Sequence, residues 1–377
     1  MFSYLNFSSF LRNANILKSR TGFLPILRGT HDCSSHQYVK VTLLGGMGST
    51  GQALAMLLKQ SPLLDELCIY DVRACRSFVQ ELNHIDTRCK VTGYCGKCHL
   101  GEALHNSRIV VMMMSITKGS IQNYSSQFEQ NAPLVQSLAE FIGTCCPKAL
   151  IAVGTNPVNS MVPLVSEVMK RKGAYSPNNI FGITTVNSVR ANTLAAAALG
   201  LDAECVVVPV VGGHTETTMV PVLSQAKPCS EFTPELVEKI TRTVRYGMIN
   251  VAKVKTNSAD SLCGAFAFAR FVISLVKGLR GYQGIVECSY VRSRVHPQLK
   301  YVANPILLGP AGVMRNFGIP KLSDYENCLF DNLIPILISD IQRGEKYVGV
   351  FDPPICNLCE EMPERCPNSV CTRNPTC

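Results

Sequence analysis

Short β-branched runs alternate with amphipathic stretches from residue 40 onward. Lys40–Leu44 predicts a first strand, Gly51–Lys59 a helix and Glu66–Tyr70 a second strand. The same alternation predicts three further strands and a long helix, over Lys90–Tyr94, Ile109–Met114, Ala149–Val153 and Ser126–Thr144. Strands that alternate with helices in this way indicate βαβ units and a doubly wound parallel sheet.

The spacing changes after Asn156, where longer helices and strands without crossover helices follow. The predicted helices are Val186–Leu199, Pro234–Lys253, Ser261–Leu279 and Tyr325–Arg343, and the predicted strands are Cys205–Val211, Met219–Leu223 and Gly284–Val291. This pattern is typical of a mixed α+β domain. The fold class expected is therefore α/β, with a second domain after the parallel sheet.

A glycine-rich turn joins the first predicted strand to the first predicted helix. The turn contains Gly45, Gly48 and Gly51, and Asp71 follows the second strand. Glycines let the main chain approach a pyrophosphate at a helix N-terminus, and an acid after the second strand can bind ribose hydroxyls and repel a 2′-phosphate. The order of these features predicts an NAD site in a Rossmann domain over residues 38–183, followed by a substrate domain over 184–346.

Charge and hydropathy exclude some other classes of protein. The net charge is +9, but the basic residues are dispersed and no basic run is interleaved with aromatic residues, which argues against nucleic acid as a partner. We also expect no transmembrane helix and no membrane partner, because the apolar stretches over 194–201 and 205–211 are far shorter than the roughly 20 residues a bilayer requires.

The N-terminal segment, residues 1–37, is interpreted as a mitochondrial presequence. Arg12, Lys18, Arg20 and Arg28 lie within residues 1–31, which contain no acidic residue and space apolar residues as on one helix face. This predicts a protein of the mitochondrial matrix. The alternative is an ordinary disordered tail.

Cysteine is abundant, with 18 in the chain. Those between Cys68 and Cys328 lie mostly in apolar segments, as expected of small buried side chains in a reducing compartment. The tail, residues 347–377, is rich in Cys and Pro, so zinc and intermolecular disulfides both stay open there. Cys95-Gly96-Lys97-Cys98-His99 matches a haem-attachment pattern, which we interpret as coincidental because it lies in a strand-to-helix connection. We predict no metal site.

Five motifs occur in an order that resembles mitochondrial-type malate dehydrogenase, in the lactate/malate dehydrogenase family. They are Asn156-Pro157-Val158-Asn159-Ser160, Ile180-Phe181-Gly182-Ile183-Thr184-Thr185, Val189-Arg190-Ala191-Asn192, Val211-Gly212-Gly213-His214 and Val286-Glu287-Cys288-Ser289-Tyr290-Val291. The resemblance covers residues 40 to 346. It implies a homodimer that interconverts malate and oxaloacetate with NAD in the tricarboxylic acid cycle.

The resemblance also assigns roles to individual residues. His214 corresponds to the acid/base histidine, and Arg190 corresponds to the arginine that grips the C1 carboxylate of the substrate. Asn156 corresponds to an asparagine that hydrogen-bonds near the reacting oxygen, and Asn131 to an asparagine on the cofactor side.

Three positions depart from the family pattern. Asn187 stands where the family has the aspartate that orients the histidine, and in serine proteases the same replacement lowers turnover by about 10⁴-fold. Lys118 and Tyr124 stand where the substrate loop has two arginines; lysine lacks the guanidinium fork, and a lost electrostatic donor typically costs roughly 10²–10³-fold.

Two hypotheses follow from these matches and departures. The first is an NAD-dependent malate dehydrogenase that uses His214 and Arg190. The second is a dehydrogenase-fold protein that binds NAD, or has a structural role, with impaired catalysis.

Overall fold

The computed structural model describes residues 37–116, 123–254 and 261–350. The predicted presequence, the predicted Cys-rich tail beyond Val350 and Lys118 lie outside these residues. The strands of the described part are β1 (Lys40–Leu44), β2 (Glu66–Asp71), β3 (Lys90–Cys95), β4 (Ile109–Met112), β5 (Leu150–Val153), β6 (Ile180–Ile183), β7 (Val210–Gly212), β8 (Met219–Pro221), β9 (Val286–Arg292), β10 (Tyr301–Gly309) and β11 (Gly312–Asn316).

Nine α-helices accompany these strands in the same described ranges. They are α1 (Ser49–Lys59), α2 (Arg76–Asn83), α3 (Leu100–Leu104), α4 (Tyr124–Cys145), α5 (Val158–Arg171), α6 (Thr185–Leu199), α7 (Pro234–Val254), α8 (Ser261–Leu279) and α9 (Asp324–Val350).

All the strands belong to one mixed sheet, in the order β3-β2-β1-β4-β5-β6-β9-β10-β7-β8, with β11 on β10. The strands from β1 to β6 pair in parallel, whereas β9 pairs antiparallel with both β6 and β10. Strand β1 has β2 on one side and β4 on the other, so the direction of winding reverses between β1 and β4. Ligands of open α/β sheets bind at the carboxyl ends of strands at such a reversal.

The core fills both faces of the sheet. On one face, α4, α5 and α9 cover the strands, and Val110, Leu138 and Leu337 belong to one buried cluster. On the other face, α1 and α8 cover the strands, and Leu43 and Phe271 belong to a second cluster. Strands covered on both faces form continuous apolar runs, as residues 109–112 do. The predicted Rossmann sheet followed by a mixed domain is confirmed.

Helix α8 contains a stretch, Leu262–Leu279, that is long and apolar enough to cross a membrane by length and composition. It lies within the predicted helix Ser261–Leu279 and is longer than the apolar stretches from which no transmembrane helix was expected. In the protein, 56% of it is buried, and Phe271, Val272 and Val276 have no exposed surface. Its hydrophobicity is therefore explained by packing between α1 and the sheet.

Several observed elements differ from the predicted ones. The strand predicted over Cys205–Val211 is limited to Val210–Gly212, because Pro209 has no N–H to donate to a neighbouring strand. The residues of strand β6 were identified from the sequence only as part of a motif and were not predicted to form a strand. Helix α9 was expected to end at Arg343 but continues to Val350.

Candidate active site

The glycine turn lies between the carboxyl ends of β1, β2 and β4. The N–H groups of Gly45 and Gly46 donate to the Tyr70 carbonyl at 2.8 and 3.2 Å. Gly45 has a φ of +100°, and a β-carbon there would lie 2.8 Å from the Cα of Met114. The position therefore requires glycine for both its conformation and its neighbours.

Helix α1 starts directly from this turn, with Gly48 at its N-cap. A β-carbon on Gly51 would lie 2.5 Å from the Gly45 carbonyl oxygen, so the helix and the turn are in close contact. No acidic residue occurs in the first helical turn. The partial positive charge of the helix N-terminus is therefore not neutralised locally and can attract a pyrophosphate.

Asp71 ends β2 beside the turn and is 4% exposed. Its Oδ2 accepts from the Met47 N–H at 2.9 Å, and its Oδ1 accepts from the Arg73 N–H at 3.1 Å. These bonds fix the carboxylate, and because Arg73 Nε also donates to Oδ1 at 3.5 Å, the lone pair that is left for a ribose hydroxyl is on Oδ2. The turn, the helix terminus and the acid together fit a dinucleotide with free ribose hydroxyls.

Asn131, in α4, connects the cofactor side to the next part of the site. Its Oδ1 accepts from the Ile116 N–H at 2.8 Å and from Ser115 Oγ at 3.2 Å. Its Nδ2 donates to the Asn156 carbonyl at 3.0 Å. The structure thus gives Asn131 a bridging position between the segment after β4 and the segment after β5. Asn156 precedes α5 with a cis bond to Pro157.

His214 follows β7, and its ring faces the first turns of α6. Asn187 Nδ2 lies 3.4 Å from His214 Nδ1, and Asn187 is completely buried. Among the residues that the structure describes, Asn187 Oδ1 has no hydrogen-bond partner. The pair predicted from the sequence is therefore in contact, with an amide where the family resemblance implies a carboxylate.

The orientation of this amide decides which tautomer of His214 is favoured. If Nδ2 faces the ring, Nδ1 must accept and the proton resides on Nε2. If the amide is rotated by 180°, Oδ1 accepts from an Nδ1–H, and Nε2 is free to take a proton. An aspartate accepts only, and would select the second tautomer alone.

Burial, and to a smaller extent the Arg190 guanidinium, lower the pKa of His214 to about 4. The imidazole is therefore neutral near pH 7. Arg190 lies one helical turn after Asn187 and packs against α7, where a β-carbon on Gly247 would lie 3.0 Å from Arg190 Cδ. The structure thus brings His214, Asn187 and Arg190 together.

Tyr124 lies at the start of α4, and its side chain points towards Glu216. Its hydroxyl donates to the Glu216 carboxylate, and burial and that bond raise its pKa. A cavity of about 480 Å³ adjoins it, lined by Asn123, Tyr124, Ser125, Thr215, Thr217, Ile336, Asp340 and Arg343. Neither His214 nor Arg190 lines this cavity.

Sequence reasoning did not single out Glu216, Asp340 or the side chain of Asn159. Glu216 lies two residues after His214 and accepts from Tyr124, Asn159 accepts from the His214 N–H, and Asp340 accepts from Asn159. Asn159 belongs to the motif of residues 156–160, and this membership was the sequence feature that could have identified it. Glu216 and Asp340 have no such feature, since their contacts are made across the fold. In the part of the chain that the structure describes, no group of three or more His, Cys, Asp or Glu side chains could hold a metal ion.

Two family models together match nearly all of the described chain. The lactate/malate dehydrogenase NAD binding domain matches residues 39–182. The lactate/malate dehydrogenase α/β C-terminal domain matches residues 184–348.

Curated relatives agree with this assignment. The chain is 38% identical to Homo sapiens mitochondrial malate dehydrogenase over 323 residues, which cover 85% of this chain and 95% of that protein. It is 39% identical to the mitochondrial malate dehydrogenase of Caenorhabditis elegans over 323 residues, which cover 85% and 94%.

Solved structures show the same fold. Malate dehydrogenase of Cryptosporidium parvum superposes with a TM-score of 0.70 at 23% identity, covering 81% of this chain and 99% of that one. Lactate dehydrogenase of Eimeria maxima, solved with NADH and oxamate, gives 0.73 at 18% identity, covering 84% and 96%. The chain therefore belongs to the lactate/malate dehydrogenase family and is an NAD-dependent oxidoreductase.

Proposed function

We propose that this protein is a malate dehydrogenase that interconverts malate and oxaloacetate with NAD. The observation that carries the proposal is the contact of His214 with Asn187 beside Arg190. A chain of contacts leads from the NAD turn to this group: Gly45 lies against Met114, Asn131 joins Ile116 to Asn156, and Asn159, three residues later, accepts from the His214 N–H. An acid/base group and a carboxylate grip thus adjoin a nucleotide cradle.

In the proposed mechanism, Arg190 binds the C1 carboxylate of malate through paired N–H groups and orients the C2 hydroxyl towards His214. His214 Nε2 accepts the hydroxyl proton as the carbonyl forms, and Asn156 donates to the reacting oxygen. NAD, when bound, would accept the hydride that leaves C2 of malate. In the reverse direction, His214 must start protonated and return the proton to the oxygen.

The low pKa of His214 determines which protonation state of the ring is available to each direction of the reaction. A histidine that is neutral at pH 7 is ready to accept a proton from malate. It is poorly prepared to donate one to oxaloacetate, because Arg190 and burial disfavour the imidazolium and Asn187 supplies no negative charge to stabilise it. We therefore propose that the enzyme is slower in both directions than relatives that have an aspartate there.

We also propose a homodimer in the mitochondrial matrix, acting in the tricarboxylic acid cycle. The curated relatives named above are mitochondrial proteins. The basic, acid-free residues 1–31 are typical of an import sequence. Expression of the full chain with a C-terminal fluorescent tag tests the location, and the same chain without residues 1–37 is the control.

Purified protein, NAD or NADH and a spectrophotometer test the activity. We expect malate-dependent formation of NADH and oxaloacetate-dependent oxidation of NADH, both removed by His214→Gln. Titration of NADH fluorescence measures cofactor binding in the same samples. Binding without turnover in either direction would contradict the proposal and support the alternative of a dehydrogenase fold with impaired catalysis.

A further inference from the structure

The main chain of His214 is fastened by the side chain of Asn159, in the first turn of α5. Asn159 is completely buried, and its Oδ1 accepts from the His214 N–H at 2.9 Å. Its Nδ2 donates to Thr218 Oγ1 at 3.1 Å, on the far side of the same turn. One amide therefore spans the turn of residues 214–218 and fixes the backbone from which the imidazole projects.

Asp340, in α9, fixes the orientation of this amide. Asp340 Oδ2 accepts from Asn159 Nδ2 at 3.0 Å, and Oδ1 is ion-paired with Arg343 at 3.2 Å. A carboxylate accepts hydrogen bonds and cannot donate them, so it selects the rotamer in which Nδ2 faces α9. In the opposite rotamer, Nδ2 would face the His214 N–H, donor against donor.

From this geometry we propose that Asn159 is a positioning residue for the acid/base step and that Asp340 holds it in register. The inference deepens the proposed function, on which it rests for its activity readout. Neither residue touches the substrate; each acts through the main chain of His214. Because reacting groups must be held to a fraction of an ångström, a displaced imidazole lowers turnover more than it lowers cofactor affinity.

An exchange of the two side chains provides the test. Asn159→Asp keeps the oxygen that accepts from the His214 N–H but places a second carboxylate against Asp340. We expect kcat to fall by at least about tenfold, with an unchanged affinity for NADH. The double variant Asn159→Asp/Asp340→Asn restores one donor and one acceptor, and should return kcat to within about threefold of the parent value.

Asn192→Asp is the matched control. Asn192 is also buried and also accepts a main-chain N–H through Oδ1, from Val208 at 2.8 Å. Its described hydrogen bond is to Val208 and not to His214, so we expect kcat of Asn192→Asp to stay within about twofold of the parent value. Thermal midpoints of all variants separate loss of folding from loss of positioning.

A second readout is independent of turnover. The chain has 7 histidines, and the carbon-13 resonance of the His214 ring can be assigned by its absence in His214→Gln. We expect Asn159→Asp to move this resonance and Asn192→Asp to leave it in place. If the parent protein shows no turnover, the proposed function fails while the resonance still decides the role of Asn159.

A folded Asn159→Asp protein with unchanged kcat and an unchanged His214 resonance would overturn the inference. Loss of thermal stability that the exchange repairs, with kcat constant throughout, would overturn it too, since that is the behaviour of a merely structural contact. If Asn159→Asp does not fold, Asp340→Ala replaces it. Asp340→Ala leaves the Asn159 amide free to rotate. If kcat and the His214 resonance are both unchanged in this variant, the inference is overturned.

Discussion

The cofactor cradle is the glycine turn of residues 45–51 with Asp71 and Asn131, and the His214 pocket is His214 with the first turns of α6. These two regions differ in how many of their buried polar side-chain atoms have hydrogen-bond partners. In the cradle, every side-chain oxygen and nitrogen of Asp71 and Asn131 has a hydrogen-bond partner. In the pocket, three buried atoms in the first turns of α6 have no hydrogen-bond partner in the described part of the chain. They are Thr185 Oγ1, Asn187 Oδ1 and Ser188 Oγ.

This difference shows which requirements each region places on the sequence. The cradle recognises a pyrophosphate through main-chain N–H groups, so a few glycines and one acid are sufficient for it. The pocket depends on a charge at a single position, and an amide there retains the shape of the site without its electrostatics. A family member can therefore keep its cofactor while its chemistry is slowed.

Of the changes that test this comparison, Asn187→Asp should have the largest effect on catalysis. The carboxylate would accept from His214 Nδ1–H, select the productive tautomer and raise the pKa of the ring. We expect kcat for oxaloacetate reduction to rise by about 10²–10⁴-fold, as the loss from the opposite change in a serine protease indicates. Stopped-flow measurement of NADH oxidation checks the increase.

Asn187→Ala is the control for this change, since it removes the amide without adding charge. It should not raise the rate. If Asn187→Asp left kcat unchanged while NADH still bound, the missing charge would not be what limits this enzyme, and the contrast between the two regions would disappear.

The pH dependence of the parent enzyme should show the next largest effect. His214 must be protonated to reduce oxaloacetate, and with a pKa of about 4 roughly one molecule in a thousand carries that proton at pH 7. The protonated fraction rises as pH falls towards the pKa. We therefore expect kcat/KM for reduction to increase about tenfold per unit between pH 7 and pH 5.

Malate oxidation uses the neutral ring and serves as the internal control. Its kcat/KM should stay nearly flat over the same interval, because the ring loses its neutral form only below about pH 4. Asn187→Asp should move the rise in reduction to higher pH. Parallel profiles in the two directions would show that His214 is not the titrating acid/base.

The sequence predicted the cradle well because its signals are local. Lys40–Leu44 and the glycine turn appear in the structure where the pattern places them. Strand β6 and the start of β7 were harder to predict, since a four-residue apolar run can be strand or helix and β7 begins only after Pro209.

The site could be predicted only as far as the motifs extended. The contact of His214 with Asn187 followed from the family resemblance, and the structure places them together. The bond between Tyr124 and Glu216 joins residues 92 positions apart, and the contact of Asn159 with Asp340 joins residues 181 apart. Such pairs have no signature in a single sequence, because no spacing or period connects their positions.

A smaller effect is expected from Gly51→Ala, which tests whether the cradle depends on main-chain proximity. The new β-carbon would lie 2.5 Å from the Gly45 carbonyl oxygen and force the turn away from α1. Overpacking of this kind costs about 1–3 kcal/mol, so NADH should bind about tenfold more weakly or worse, as fluorescence titration would show. Gly101→Ala, whose β-carbon would come no nearer than 3.7 Å to Cys145 Sγ, should bind NADH like the parent protein.

The smallest effect concerns the second carboxylate of the substrate. An arginine introduced by Tyr124→Arg would lie beside Glu216, which accepts the present tyrosine hydroxyl, and would pair with that acid. We therefore expect KM for oxaloacetate to fall less than about threefold in the single variant. In Tyr124→Arg/Glu216→Gly, where the guanidinium has no competing carboxylate at 216, it should fall about tenfold.

Pyruvate, a monocarboxylate, is the control substrate, and its KM should be the same in both variants. Glu216→Gly alone separates removal of the acid from gain of the cation. A tenfold fall in the single variant would mean that Glu216 does not retain the side chain at 124. A change at Tyr124 alone would then be enough to restore the second cation of the substrate cleft.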